Sequence, residues 1–431
     1  MPTPPLRFGA FYAPFHPVGQ NPTLAIEYDL QRAIWLDELG YDEVWFGEHH
    51  SGGYELIASP EVMIAAVSQR TKRIKLGTGV SSLPYHHPWI LADRMVMLDH
   101  LTRGRTIFGV GPGALPTDAW QMGIDPVDQR RMMEESLEAI LALLRSEEPV
   151  TRETDWFTMR DATLQMRPYT YPHFEVAVAA MVTPSGPSLA GKTGSALLSL
   201  SMSMAEGFAA IGNAWNTVNE AAEKAGAPTP DRSTWRVLGN MHLAETKEQA
   251  IEDCTHGLRQ FAGYFGGGAG FVPLANQVQD EPKTEREFVE RYASNGGVVI
   301  GTPDDAIEYI QGLLDQSGGF GTFLFLGHDW ANPEATYKSY RLFAREVMPH
   351  FQGQIAAPRA SHDWATAKRG EIFGRAGQAM MNAITKHVEE RDAPAKKNGA
   401  AAKKNGAAAK KNGAAAAKKK APATKKVGAK K

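Results

Sequence analysis

Three neighbouring titratable side chains, Glu48, His49 and His50, follow a short run, Glu43–Gly47, that is typical of a buried strand. Imidazole titrates near neutral pH, and a carboxylate beside it can set its tautomer and its charge. The pattern therefore predicts an acid–base cluster in which these three residues are catalytic. The simpler interpretation is that one histidine is packed and hydrogen-bonded for structural reasons.

A metal site is the competing interpretation of this cluster, since histidine and carboxylate ligands suit zinc or iron. Adjacent residues on a strand point to opposite faces, which makes joint ligation by His49 and His50 awkward. We therefore favour acid–base chemistry and predict no metal. A second pair, His86 and His87, lies between two prolines that restrict the backbone, which indicates a shaped loop more than a set of ligands.

Glycine and hydroxyl residues follow other predicted strands. The runs Leu76–Pro84 and Gly109–Gly113 contain glycines that let a flat ligand approach the backbone, although turns also need glycine. The segment Thr183–Ser188 opens a predicted helix, where hydroxyls, free backbone N–H groups and the helix dipole favour an anion. It predicts a phosphate-binding cradle, and its simpler interpretation is N-capping of the helix by Ser185 or Ser188.

These segments all follow apolar runs that alternate along the chain with amphipathic stretches. The alternation is typical of repeated β-α units, and it predicts an α/β fold, a (β/α)8 TIM barrel with its chemistry at the carboxyl ends of the strands. Between the strands, Lys247–Tyr264 and Asn332–Pro349 are each predicted as one helix. The predicted strands are Phe8–Ala13, Glu43–Gly47, Ile74–Val80, Thr106–Gly111, Glu175–Met181, Ala196–Leu200, Arg236–Leu243 and Thr322–Gly327.

The predicted barrel spans residues 1–355 and carries insertions at 146–174 and 265–300, which are too long for simple connections. The first contains the alternating segment Thr151–Pro172, which predicts a small hairpin. The second is rich in glycine and charge, as expected of a lid. A helical extension at 356–394 and a tail at 395–431 complete the predicted organisation.

The tail differs from the rest of the chain in composition. Residues Lys396 to Lys431 contain thirteen lysines and no acid, so with a formal charge of −2 for the whole chain the remainder carries −15. Its Lys-Lys-Asn-Gly-Ala units offer almost no apolar surface to offset the entropy of ordering, so we expect a disordered basic tail. A solubilising appendage is the simpler interpretation, and weak contact with nucleic acid or another anionic surface is the functional one.

Composition limits the class of protein. A hydrophobic content of 43% over 431 residues supports a large core, and a single cysteine, Cys254, excludes a disulfide framework and a thiolate metal cluster. The sequence has neither an N-terminal apolar run nor an uncharged apolar stretch of about 18 residues. We therefore expect a cytoplasmic protein that makes no contact with the membrane.

Several segments together resemble the bacterial-luciferase-like flavin-dependent monooxygenases. The matching segments keep their order and spacing from Leu6 to Phe351, and they are RFGAFYAP, LGYDEVWFGEHH, RIKLGTGVSSLPYHHP, ADRMVMLDHLTRGRTIFGVGPG, GTPDDAIEYI and FAREVMPHF. Within the superfamily, APFHPVGQNPT, GVGPGALPTDAW and EEPVTRETDWFTMRDA are most similar to the limonene 1,2-monooxygenase group.

The resemblance implies a flavin enzyme that uses O2. A separate flavin reductase, drawing on NADH or NADPH, would supply reduced FMN, and a flavin hydroperoxide would oxygenate a small apolar substrate, for example by epoxidising a monoterpene such as limonene. His49 would be the catalytic histidine, oriented by Glu48. The residues that would bind the cofactor are Thr78, Gly79, Val80, Gly111, Thr183, Ser185, Gly186 and Ser188, with a non-prolyl cis peptide at Gly79–Val80.

One departure from the family pattern concerns the phosphate. Gly111-Pro112 stands where luciferase has a reactive cysteine followed by a phosphate-binding arginine, so the phosphate needs another cation or loop N–H groups alone. FMN is the favoured cofactor, and FAD and a deazaflavin stay open. Two other functions also stay open, a deazaflavin-dependent oxidoreductase that transfers hydride on the same barrel and a non-catalytic flavin-binding protein.

The resemblance further implies a homodimer that pairs through the helices after the second and third strands. These helices are more apolar than contact with a barrel alone requires. The apolar residues concerned are Met63–Val67, Ile90, Leu91, Met95 and Met97.

Overall fold

The computed structural model describes residues 5–13, 15–200, 205–264, 282–294 and 296–393. Within these residues an eight-stranded parallel barrel is surrounded by helices. The strands are Arg7–Tyr12 (β1), Glu43–Phe46 (β2), Lys75–Thr78 (β3), Ser81–Ser82 (β4), Thr106–Gly111 (β5), Val150–Glu153 (β6), Thr158–Ala162 (β7), Glu175–Ala180 (β8), Ala196–Ser199 (β9), Arg236–Leu243 (β10), Val298–Gly301 (β11) and Thr322–Gly327 (β12).

The barrel closes in the order β1, β2, β3, β5, β8, β9, β10, β12 and back to β1, through parallel pairs. A run such as β12, Thr-Phe-Leu-Phe-Leu-Gly, is buried along its whole length, because the barrel interior covers one face and the helices cover the other. The eight predicted strands and the TIM barrel are therefore confirmed.

One further strand, β11, lies in the predicted insertion 265–300. Strand β10 is eight residues long; its first half pairs with β12, and its second half pairs with β11 from Asn240 opposite Val298. The rest of that insertion includes residues 265–281, which lie outside the described residues, so the predicted lid falls largely there.

The helices fill the intervals between strands, and six of them begin with proline, whose fixed φ suits the first helical turn. They are Pro22–Leu39 (α1), Pro60–Ser68 (α2), Pro88–Thr102 (α3), Pro116–Gln121 (α4), Gln129–Arg145 (α5), Ser185–Thr193 (α6), Ala205–Ala225 (α7), Lys247–Cys254 (α8), Leu258–Gly263 (α9), Glu285–Ser294 (α10), Pro303–Ser317 (α11), Pro333–Leu342 (α12), Met348–Phe351 (α13) and Ala356–Asp392 (α14).

Two predicted helices are interrupted. The segment Lys247–Tyr264 forms α8 and α9, which separate where Gly257 donates its N–H to the Trp330 carbonyl at 2.9 Å. A side chain at Gly257 would meet the Asp329 carbonyl oxygen at 2.0 Å, so this close approach requires glycine. The segment Asn332–Pro349 contains a π-helical stretch, Phe343–Val347.

The amino ends of the strands carry a buried ionic cluster, which we call the basal cluster: Arg7, Glu43, Glu175 and Arg236, each the first residue of a barrel strand. Arg236 binds Glu43 with two hydrogen bonds, of 2.8 and 2.9 Å, and also donates to Glu175. The Trp45 indole donates to Glu43 at 3.1 Å, and its ring lies 5.2 Å from the guanidinium carbon of Arg236. The cluster closes the lower end of the barrel with paired charges.

Outside the barrel, β6 and β7 form an antiparallel hairpin, which confirms the hairpin predicted in the first insertion. The chain divides into two compact units, residues 1–361 and 362–431. Helix α14 extends into the second unit, and its side chains are exposed. Among the described residues, no helix combines the length and the apolar character needed to cross a membrane.

Candidate active site

The loop that follows β2 brings together the residues around His49. The His49 N–H donates to the Ile57 carbonyl at 3.1 Å, which closes a loop whose turn uses Gly52 and Gly53 at φ 82° and 79°. Glu55 pairs through its backbone with Phe15, just beyond β1. Because the loop is fixed at both places, the Glu55 carboxylate faces the His49 ring.

His49 lies between two carboxylates. Its Nδ1 is 3.3 Å from Asp118 Oδ2, within hydrogen-bond geometry, and its Nε2 is 3.2 Å from Glu55 Oε2, an ion-pair distance without hydrogen-bond geometry. Burial by itself would lower the pKa of His49, but Glu55, Asp118 and the nearby Glu48 outweigh burial and raise it. The arrangement therefore favours the imidazolium over the neutral ring.

Asp118 belongs to the short helix α4, which the sequence did not predict. Its Oδ1 accepts from the His50 backbone N–H at 3.1 Å and from the Ser51 hydroxyl. Burial alone would raise the pKa of Asp118, yet the hydrogen bonds from His49 and Ser51 hold it below its usual value. Asp118 is thus a fixed negative charge that orients the His49 ring through Nδ1.

Glu48 is the centre of a second group. Its Oε1 accepts from His50 Nε2 at 3.0 Å and from His86 Nε2 at 2.7 Å, and its Oε2 accepts from the Ser82 N–H at 2.7 Å. These bonds outweigh the effect of burial and keep the pKa of Glu48 below its usual value, while the hydrogen bond that His50 donates to Glu48 raises the pKa of His50. The expectation that Glu48 orients His49 is therefore wrong, because the hydrogen bonds of Glu48 go to His50 and His86.

One histidine of the His86-His87 loop, His86, belongs to this group. Arg94 lies 3.3 Å from His86 Nδ1 and can only donate, so Nε2 of His86 carries the proton that Glu48 accepts. His87 instead contacts the Thr158 carbonyl at 3.2 Å on the exposed side. Among the described residues, no group of three or more His, Cys, Asp or Glu side chains is arranged to hold a metal ion.

A cavity of about 510 Å³ opens beside the ends of β3, β5 and β8. Of the residues predicted to bind a cofactor, the cavity is lined by Val80, Gly111, Thr183, Ser185 and Gly186. The Thr183 and Ser185 hydroxyls are 2.9 Å apart at the first turn of α6. The cavity therefore combines a flat, glycine-bordered side with hydroxyls and a helix N-terminus.

The remaining predicted cofactor residues are placed differently. The peptide bond between Gly79 and Val80 is cis, as the resemblance implied. Thr78 is buried and donates its hydroxyl to the Gly109 carbonyl at 2.7 Å, so this hydroxyl already has a structural partner. Ser188 is exposed on the first turns of α6 and does not line the cavity.

Arg130, which the sequence reasoning did not name, also belongs to this cavity. It stands near the start of α5, lines the cavity and makes no ion pair within the described residues, whereas its neighbour Arg131 is paired with Asp128, Glu135 and Asp155. The Ser81 hydroxyl, directly after Val80 in the chain, is buried without a hydrogen-bond partner in the described part of the chain.

A signal for some of these residues was present in the sequence. Helix α5 follows β5, so its first turn must lie at the carboxyl end of the barrel, and Arg130 stands in that turn. No comparable signal marks Asp118, since its helix is six residues long and lies 69 residues from His49 along the chain.

Comparison with known protein families matches residues 6–319 to the family described as luciferase-like monooxygenase. Limonene 1,2-monooxygenase of Rhodococcus erythropolis is 47% identical over 386 residues, which cover 90% of this chain and 97% of that protein. 4-Hydroxyprotoasukamycin monooxygenase of Streptomyces nodosus subsp. asukaensis is 42% identical over 361 residues, covering 83% of this chain and 96% of the relative.

A solved structure shares the fold over most of the chain. It is the oxygenating constituent of 3,6-diketocamphane monooxygenase from Pseudomonas putida, a type II Baeyer-Villiger monooxygenase in complex with FMN. The two structures superpose with a TM-score of 0.65 at 25% sequence identity, over 80% of this chain and 98% of the other.

Proposed function

The chain belongs to the luciferase-like monooxygenase family, and from this premise we propose that it uses reduced FMN and O2 to oxygenate a small apolar olefin of the monoterpene class, such as limonene. The observation that carries the proposal is the pairing of two features at one end of the barrel. One is the buried His49 between Asp118 and Glu55, and the other is the cavity lined by Val80 and Ser185.

The cavity residues fit a flavin mononucleotide. The Thr183 and Ser185 hydroxyls and the N-terminus of α6 would hold the phosphate, with Arg130 as its counter-charge in place of the arginine that luciferase has elsewhere. Val80 and Gly111 would border the ring. When bound, the reduced flavin supplies the electrons that activate O2.

The chain's own residues would control the proton and exclude water. His49, with Asp118 at Nδ1 and Glu55 opposite Nε2, can hold a proton on both ring nitrogens and so donate one to an oxygen atom at the reacting centre. An electrophilic oxygen is what an alkene requires. The aromatic side chains of Phe11 and Phe15 are buried near the same strand end, which supports a dry site for an apolar substrate.

A separate flavin reductase would supply the reduced cofactor. The P. putida relative is described as the oxygenating constituent of its monooxygenase, which supports a division of labour between two proteins. We propose that this chain is likewise the oxygenating component, with NADH or NADPH consumed by the reductase, and that it works in the cytoplasm. The thirteen tail lysines support an additional weak contact with polyanions that weakens as salt is added.

We also propose a homodimer through α2 and α3. Most of the apolar residues expected there, including Met63, Ile64 and Met95, are buried within their own chain. The exposed apolar residues of the two helices include two of the expected ones, Ile90 at 44% and Met97 at 54%, and also Val62 at 69% exposed. Light scattering should therefore give twice the chain mass, and Met97→Glu should lower it while Val127→Glu on another exposed surface does not. A monomer mass for the unmodified chain at micromolar concentration would contradict the dimer.

Incubation with ¹⁸O2 tests the proposed reaction. The full chain is supplied with FMN, NADH, a generic flavin reductase and a panel of monoterpenes, and the products are analysed by mass spectrometry. We expect one ¹⁸O atom in the product, formed only when the chain is present. A deazaflavin dehydrogenase would instead give an oxidised product without label, and a non-catalytic flavin-binding protein would give hydrogen peroxide alone.

A further inference from the structure

Glu55 and Tyr264 form a pair on the side of His49 away from Asp118. The Tyr264 hydroxyl donates to Glu55 Oε1 at 2.6 Å, while the other carboxylate oxygen, Oε2, lies 3.2 Å from His49 Nε2. Both residues are buried, Glu55 to 5% and Tyr264 to 2% exposure. A tyrosine hydroxyl thus holds one carboxylate oxygen and turns the other toward the histidine.

The backbone around Glu55 is held by unusually many contacts for a loop. Besides its pairing with Phe15, the neighbouring Leu56 N–H donates to His16 Nδ1 at 3.2 Å. His16 in turn donates from Nε2 to the buried Asp29 at 2.7 Å, and Asp29 is paired with Arg32. This chain of contacts leaves the Glu55 side chain little freedom to turn away from His49.

One atom of the pair is incompletely satisfied. Glu55 Oε2 is buried and has no hydrogen bond within the described residues, even though a carboxylate oxygen can accept two. Leaving such an atom unpaired is costly, so its retention needs a reason. The only polar group that the described contacts bring near it is Nε2 of His49.

We propose that Glu55 and Tyr264 are positioning residues for His49: Tyr264 fixes the Glu55 carboxylate, which in turn keeps a proton on His49 Nε2. The proposal rests on the proposed oxygenase function, because that function gives the proton on His49 its use. The contacts that support the proposal concern His49 alone. Asp118 and Glu55 then bracket the imidazole, one at each nitrogen. Tyr264 touches Glu55 and acts on His49 only through it.

The carboxylates around His49 come from two parts of the fold. Glu48 and Glu55 belong to the segment after β2 and Asp118 to α4, and all three raise the pKa of His49, while His49 in turn lowers the pKa of the neighbouring His50. Burial and Glu55 both raise the pKa of Tyr264, so the phenol stays a hydrogen-bond donor throughout the working pH range. A donor to the ionised carboxylate favours its charge.

The test is a histidine titration in the full-length chain, read by NMR of ¹³C-labelled imidazole groups, with the His49 signal assigned by its absence in His49→Gln. Removing an opposite charge at this distance shifts a pKa by about one unit or more, so Glu55→Gln should lower the pKa of His49 by that amount. Tyr264→Phe should lower it less, and the double variant should match Glu55→Gln because Tyr264 acts through Glu55.

Tyr54→Phe is the matched control. The Tyr54 ring packs against Tyr264 in a tilted arrangement with centroids 4.5 Å apart, but its hydroxyl makes no hydrogen bond within the described residues, so the His49 titration should not change. The product formed per reduced flavin should follow the protonation of His49. As the pH is raised, it should therefore be lost at a lower pH in Glu55→Gln and Tyr264→Phe than in the parent.

The outcomes separate this proposal from the proposed function. If the titration of His49 is the same in the parent, Glu55→Gln and Tyr264→Phe, all three folded by melting temperature, the positioning role is overturned whether or not the chain oxygenates an olefin. If the titration moves as expected in a chain that forms no labelled product, the pair still positions His49 and the oxygenase function fails.

Discussion

The two ends of the barrel both gather charged residues, but they use them differently. In the basal cluster, Arg236 is fully buried and every one of its partners is fixed, with Glu43 bound through two hydrogen bonds. At the carboxyl end, His49 and Glu55 are close but not fully bonded, and a cavity lined by Val80 and Ser185 opens at the same end of the barrel. The comparison fits a stabilising role for the lower end and agrees with the chemistry that we propose for the upper end.

The basal cluster also differs from the residues near His49 in how completely its polar atoms are paired. Among the described residues, Glu55 Oε2 is buried without a hydrogen-bond partner, as are several atoms on helices such as the Ser136 hydroxyl, whereas no side-chain atom of Arg236, Glu43 or Glu175 is in this state. Complete pairing is what a stabilising cluster requires, because an unpaired buried polar atom is costly.

The largest effect is expected from Arg236→Met at the lower end. Removing one partner of a buried ion pair leaves Glu43 uncompensated, which costs about 3–5 kcal/mol of the free energy of unfolding. Urea unfolding followed by circular dichroism would measure the loss. Arg7→Met is the matched control, because Arg7 is partly exposed and lies 3.9 Å from the same Glu43, so its loss should cost no more than about 1 kcal/mol. Equal losses in the two variants would mean that the basal cluster is no more than a surface network.

The next largest effect is expected from His49→Ala at the upper end. Loss of a positioned acid should reduce product formed per reduced flavin about 10²-fold, with a matching rise in hydrogen peroxide, while the free energy of unfolding changes little. Product and peroxide are measured in the same reaction. The exposed His87, replaced by alanine, is the control that should change neither. A His49→Ala yield within about threefold of the parent would make the cluster structural, like the basal one.

The pH dependence of the product yield should also report on His49. Because the carboxylates raise the pKa of His49, the imidazolium should persist to higher pH than in a free histidine, and coupled oxygenation should be lost on the alkaline side as His49 loses its proton. The yield of product per NADH between pH 6 and pH 10 checks this, with the range chosen to bracket the ordinary histidine pKa of about 6.5. A yield that rises with alkalinity would contradict an acid role for His49.

A smaller effect is expected from Arg130→Ala. A charge-assisted contact with phosphate is worth about 1.5–3 kcal/mol when desolvated and less at an exposed site, so the Kd for FMN should rise about tenfold. Fluorescence quenching gives the Kd, and riboflavin, which lacks the phosphate, should bind the parent and the variant equally. Arg131→Ala should change FMN binding less, since Arg131 is already paired with three carboxylates.

The sequence predicted the barrel because each strand is a continuous apolar run, and it predicted His49 because its motif is local. It did not predict the partners of His49, since Glu55 reaches the ring only after a glycine turn and Asp118 comes from a six-residue helix 69 residues away. The sequence did not predict the basal cluster either, because Glu43 and Arg236 stand 193 residues apart and meet only when the barrel closes. Local patterns therefore specify elements, whereas pairings across the barrel depend on its closure.

The smallest effect is expected from deletion of Lys396 to Lys431. Neither the basal cluster nor the residues around His49 include any of these residues, and the segment has almost no apolar side chains with which to pack on a barrel. The melting temperature and the product yield per reduced flavin should therefore equal those of the full chain, at both low and high salt. Any binding to polyanions should disappear with the deletion, because thirteen positive charges are removed from a chain whose remainder is formally −15. A marked drop in melting temperature would mean instead that the tail contributes to the folded state as the barrel ends do.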